Sequence, residues 1–186
     1  MNAVRRSILA FAFAAPALAL GIQSVAQSSW PAHVTVVAPA ERGKVVTVQG
    51  KIENGIALPD LSWAWRSSMA CFVEIQAAKF AAKHVMFATQ TKLSGIGELM
   101  VKVIPKDVNA NLSLWVYASN DQRLPPAIQS VRSCEADFKW DQAFKGQTQD
   151  HTRFIRMGTK SEGIVIGVSG VEEMAAGDFT LEISVK

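Results

Sequence analysis

From Val45 to the C-terminus the apolar positions recur mostly at every second residue, in short runs broken by turn residues. "ELMVKVI" (98–104) sets Leu99, Val101 and Val103 on one side of an extended chain. "DFTLEISVK" (178–186) alternates Phe179, Leu181, Ile183 and Val185 with Thr180, Glu182 and Ser184. Period two marks a strand with one buried face. "NLSLWVYAS" (111–119) is apolar on both sides, with Leu112, Leu114 and Val116 on one and Trp115 with Tyr117 on the other. "VVTVQGKI" (45–52) ends in the turn signal Glu53-Asn54-Gly55. "LSWAWRS" (61–67), "CFVEI" (71–75), "KHVMFATQTK" (83–92), "HTRFIRMGT" (151–159) and "GIVIGVSG" (163–170) read as further strands. Only "EIQAAKFAAKH" (74–84) offers a helical alternative, because Ala and Lys favour helix. About eight short strands at intervals of roughly ten residues, with too few helices for βαβ units, imply an all-β fold, an antiparallel jelly-roll-like β-sandwich.

The N-terminus has a different pattern. Arg5 and Arg6 precede an uncharged apolar run from Ile8 to Ile22, and Ser24-Val25-Ala26 offers small residues for cleavage. That anatomy predicts a secretory signal peptide over 1–26. The run is short for a membrane span and contains Pro16, so cleavage after Ala26 is expected, with an uncleaved N-terminal anchor as the alternative. Residues 27–43, with Pro31 and Pro39 around a Val-rich piece, read as a tether able to hold a strand, and 44–186 as one sandwich domain.

The leader changes the charge argument. The chain carries 19 Lys and Arg against 16 Asp and Glu; without Arg5 and Arg6 the balance is 17 against 16. No basic field remains for nucleic acid. The expected location is secreted or periplasmic, with no membrane span after leader removal. In an exported chain the two cysteines, Cys71 and Cys134, are expected to form one disulfide. Closing so long a loop is worth roughly 4 kcal/mol on the chain-entropy account.

Candidate chemistry is sparse. Asp107, Asn109 and Asn111 repeat the i, i+2, i+4 oxygens of a calcium loop, but the Gly and Glu such a loop needs are Leu112 and Ala118. A turn whose side chains bond their own backbone is the simpler expectation. A looser site with Asp121 fails on reach, since a strand of about eight residues spans roughly 25 Å. No cofactor is expected, with calcium the one candidate. His33, His84 and His151 show no metal-ligand spacing. Asp150 beside His151 points to the opposite face of a strand. Ser169 in "GVSGV" lacks the G-x-S-x-G frame. A hydrolytic site could be assembled only from Glu135, Asp137 and His151, with Asp141 nearby. Trp63 and Trp65, two apart on an expected strand, share a face and could stack sugar rings, with Trp140 as a further platform. Arg153, Arg156 and Lys160, with Lys139 and Lys145, form a small basic set whose simplest role is a solvated face.

The run "KHVMFATQTKLSGIGELMVKVIPKDVNANLSLWVYAS" resembles the centre of a bacterial pre-peptidase C-terminal domain: an aromatic-bearing strand, a Gly turn, a Val-rich strand, then a polar Asp/Asn turn into a "DLxLYV"-like strand, here "NLSLWVY". "GDFTLEISV" is similar to the closing strand of such domains. "SSMACF", "SCEADFKWD" and "GQTQDHTR" resemble blocks of small secreted bacterial proteins of this kind. The resemblance spans about residues 61–186. It implies a jelly-roll-like sandwich without catalytic activity, a module that accompanies secreted proteases and aids secretion or binds substrate or surface polymer. The calcium site of related collagen-binding domains is not carried over, because only Glu41 and Glu53 stand in the corresponding N-terminal stretch. The functional expectation is a secreted, non-catalytic binding or structural module that engages extracellular or periplasmic protein or polysaccharide. The alternatives are a carbohydrate-binding domain using surface Trp and a small hydrolase.

Overall fold

A computed structural model describes residues 30–92, 95–119, 122–128, 130–139, 151–157 and 162–186. The expected leader, Trp140, Asp141, Lys145 and Lys160 lie outside these, as does the side chain of Arg156. In chain order the strands are β1 (Val34–Val36), β2 (Ala40–Glu41), β3 (Val45–Lys51), β4 (Val85–Lys92), β5 (Gly97–Pro105), β6 (Leu112–Ala118), β7 (Ser133–Phe138), β8 (His151–Met157), β9 (Gly163–Gly170) and β10 (Asp178–Val185). One sheet runs β1-β4-β9-β6-β7, with β2 also on β4; the other runs β3-β10-β5-β8. Successive strands from β4 to β10 cross between the sheets at almost every step, so hydrogen-bonded neighbours are rarely neighbours in sequence. The fold is an all-β sandwich.

The register follows the side-chain pattern. β10 lies between β3 and β5, with Leu181 opposite Val48 and Val103, and Ile183 opposite Val46 and Val101. The inward residues of β5 and β10 meet Leu112, Leu114 and Val116 of β6 and Ile164, Ile166 and Val168 of β9 in an inner core. β1 and β2 join β4 in parallel, so the expected tether enters the sheet from Val34 onward.

β6 is buried along its whole length. Its second face explains the part of the sequence that is not sandwich. Trp115, Tyr117, Met86, Ala88 and Val165 form the floor of an outer core. A cap drawn mainly from residues 56–82 covers it. Here two expected strands are corrected. "LSWAWRS" is not extended: the Ser62 N–H donates to Asp60 Oδ1 at 2.8 Å and a short helix, α1 (Trp63–Arg66), follows. That turn sends Trp63 and Trp65 to different environments. "CFVEI" likewise gives way to a 3-10 helix over Glu74–Phe80, within the stretch whose composition favours helix.

The cap packs through aromatic rings. Trp63 meets Trp115 edge-on at 5.2 Å between ring centroids, and Phe72 stacks on Phe80 at 4.0 Å. Burying each such ring contributes on the order of 2–3 kcal/mol. Polar ties fix the cap to the sheet. Ser113 Oγ donates to Lys79 O, Ser169 Oγ to the carbonyls of Phe80 and Ala82, and Ala82 N–H to Gly170 O. The Cys71–Cys134 disulfide joins cap to β7, with Cα atoms 4.8 Å apart. Among the described residues no helix is long and apolar enough to cross a membrane.

Candidate functional site

Several of the residues singled out for chemistry are engaged within the fold. Trp63 is 4% exposed in the outer core, and Trp65 is half-buried against Phe72, so the two indoles do not share an open face. Arg153 turns inward from β8 and pairs with Asp137 of β7, Nη2 to Oδ1 at 3.5 Å, closing one side of the sandwich. Burial pushes the Asp137 carboxyl above its ordinary range, and Arg153 and the N–H groups of Phe138 and Thr152 oppose the shift. His151 is buried on the same strand as Arg153, and Glu135 stands exposed on β7. Lys139 Nζ donates to the carbonyls of Val108 and Asn109. Both described cations of the expected basic set are therefore engaged within the fold.

Asp107 uses Oδ1 to accept the Asn109 N–H at 2.9 Å, and the Ala110 N–H closes on Asp107 O at 2.9 Å. This is the self-bonded turn that the residue types favour. The turn borders a cleft of about 580 Å³ shared with Glu53, Glu173 and Asp178. Asn111 Oδ1 is buried there without a hydrogen-bond partner. Lys51 and Lys106 flank Asp178 at 3.3 and 3.4 Å, and their hydrogen bonds hold its carboxyl below the usual range. Among the described residues no three His, Cys, Asp or Glu side chains are grouped to hold a metal ion.

A different concavity stands where the first sheet runs out beyond the cap. Gln90 of β4 lies opposite Gly163 of β9, and the Ser119 N–H donates to Gly163 O at 2.9 Å. These three residues cross the end of the sheet in a row, with Ala88 one step deeper. Gly163 lets the two chain segments close tightly: a Cβ there would come within 2.4 Å of Ser119 O. The cleft holds about 320 Å³ and is walled by Trp30, Val36, Gln122 and Glu162. Val36 is half-exposed. Glu162 is 7% exposed and its carboxylate is paired with Arg132 Nη1. Gln122 sits at φ 55°, the left-handed region that a non-glycine residue adopts only at a cost.

Sequence reading missed this cleft for a physical reason. Its walls come from Trp30, the stretch from Val36 to Pro39, β4, Ser119, Gln122 and the start of β9, which only the sheet register brings together. Trp30 directly before Pro31, at the head of a Val-rich piece, is the one local signal that could have marked it.

No family model and no curated protein matches the chain. Among solved structures the chain is similar to the pre-peptidase C-terminal domain of a collagenase from Bacillus anthracis. The identity is 8% and the TM-score 0.36, over 86% of this chain and 100% of that one.

Proposed function

We propose that this chain is a non-catalytic binding module acting outside the cytoplasm, where it engages cell-envelope polymer or protein. The observation that carries this reading is how the polar side chains are used. Asp137 is committed to Arg153, His84 to Trp115, and Ser113 and Ser169 to the cap carbonyls. These four side chains, of types able to do acid–base or nucleophilic chemistry, act as ties within the fold. The open cleft beside Trp30 is lined by an indole, carboxamides, hydroxyls and the Glu162 carboxylate paired with Arg132, groups that suit contact more than bond-making. A Cys71–Cys134 disulfide accords with an oxidising compartment. The strand patterns read over residues 61–186 motivate the same class of module.

The test is co-sedimentation of the purified chain with isolated envelope fractions, run beside assays on generic ester, peptide and glycoside substrates. Binding without turnover is expected. Turnover abolished by Asp137→Asn or His151→Ala would reverse the reading in favour of the hydrolase.

A further inference from the structure

We infer that the cleft beside Trp30 binds one ring of a neutral saccharide. This inference rests on the binding-module reading above and names the ligand class of that cleft. Size comes first. About 320 Å³ lies at the lower end of ligand pockets, room for one ring of a chain rather than for an extended segment.

Chemistry comes second. Trp30, packed against the outer core, brings an indole to the cleft wall, the ring type that stacks on the C–H groups of a pyranose. The carboxamides of Gln90 and Gln122 each carry both donor and acceptor atoms, and Ser119 adds a hydroxyl. Vicinal sugar hydroxyls are likewise donors and acceptors at once. Carboxamide and hydroxyl groups along one cleft therefore match several hydroxyls of one ring.

Charge comes third. Glu162 is the one ionisable residue among those lining the cleft, and Arg132 neutralises it. An uncharged ligand fits this balance, whereas an anionic sugar would meet an already compensated carboxylate.

Backbone supply separates a sugar from a peptide. The N–H groups of Val37, Thr91 and Ser119 around the cleft are spent on Ala88, Glu162 and Gly163 carbonyls, at 2.9, 3.0 and 2.9 Å. A peptide binding by strand addition needs such donors at the site; a sugar needs only side chains. The strained backbone of Gln122 holds one carboxamide at the rim, and such outliers concentrate at binding sites.

The experiment is an NMR titration of the full chain with glucose, galactose, mannose, N-acetylglucosamine and their β-1,4 oligomers, each at about 20 mM, well above a millimolar Kd. Saturable shifts are expected at the Trp30 indole N–H, the Gln90 and Gln122 side-chain amides and the Gly163 backbone, and nowhere in the cap. Trp30→Ala and Val36→Glu should each weaken binding by about tenfold or more. Val36 is half-exposed, so V36E keeps the fold and remains informative if W30A does not fold. Absence of saturable shifts with every sugar overturns the inference. So do shifts centred elsewhere, unchanged affinity in V36E, or occupation of the cleft by apolar tripeptides in place of sugars. If sugars fail while the chain still co-sediments with envelope material, only the ligand class is lost. If the chain binds neither sugars nor envelope, the module reading falls as well.

Discussion

His84 is 1% exposed, and its Nδ1 accepts the Trp115 indole N–H at 3.0 Å, so the ring is neutral. Burial lowers its pKa to about 4, against a weaker contrary pull from the Phe80 carbonyl. An unfolded His titrates near 6.5. Between those values the unfolded chain holds more protons than the native one, so stability rises with pH across that window. His84 contributes in full above about 6.5, and its contribution is lost as pH falls toward about 4, on the order of 3 kcal/mol in all. Asp137 has the opposite sign. Its raised carboxyl favours the fold below the ordinary Asp range and withdraws that favour as pH rises through its native pKa. Urea melts at pH 7 and pH 5 should show the His84 loss. His84→Asn, whose Oδ1 can still accept from Trp115, should flatten it; an unchanged slope would sink the assignment. Gly167 is a second point of dependence. A Cβ there would lie 2.0 Å from the Trp115 ring, so Gly167→Ala should cost about 3 kcal/mol and weaken the near-ultraviolet signal of the Trp115–Tyr117 stack. For Asp107 the expected outcome is no change of melting midpoint between millimolar calcium and chelator, because its carboxylate already serves its own turn.

At the scale of elements, the cap is where local pattern and tertiary structure part. β5 and β10 keep the alternation their residues display, and β6 keeps both of its apolar faces, so most of the sandwich was legible. The same logic applied to Trp63 and Trp65 failed. A spacing of two suits a strand, but one Asx turn at Asp60 converts the segment to a helical turn. The site was less legible still, since Glu162 and Arg132 meet only through the fold. The cap also depends on its staple. Replacing Cys71 and Cys134 by Ser should lower stability by roughly 2–4 kcal/mol. The loss should fall first on the cap, with limited proteolysis cutting within 61–80 while the strand signal in the far ultraviolet persists. Simultaneous loss of strand signal and cap would show that the two do not separate.

At the scale of the whole molecule, the described residues form two cores sharing one sheet. The inner core is closed by complete ladders on β5, β6, β9 and β10, whereas the cap reaches the shared sheet through a few hydrogen bonds, the disulfide and aromatic packing. Uncovering Trp115 and Tyr117 is costly, but it breaks no ladder, so the cap should open at a free energy below that of global unfolding. Hydrogen exchange can separate the two levels. Leu181→Ala empties space in the inner core and should cost about 2–5 kcal/mol, lowering protection on both sheets alike. Phe72→Ala removes the ring stacked on Phe80 and edge-on to Trp63. It should speed exchange at the Cys71 and Ala82 amides, which bond to Ala64 and Gly170, while the β10 amides stay as slow as in the parent protein. If Phe72→Ala speeds β10 as much as the cap, the molecule unfolds as one unit and the cap is part of the sandwich itself.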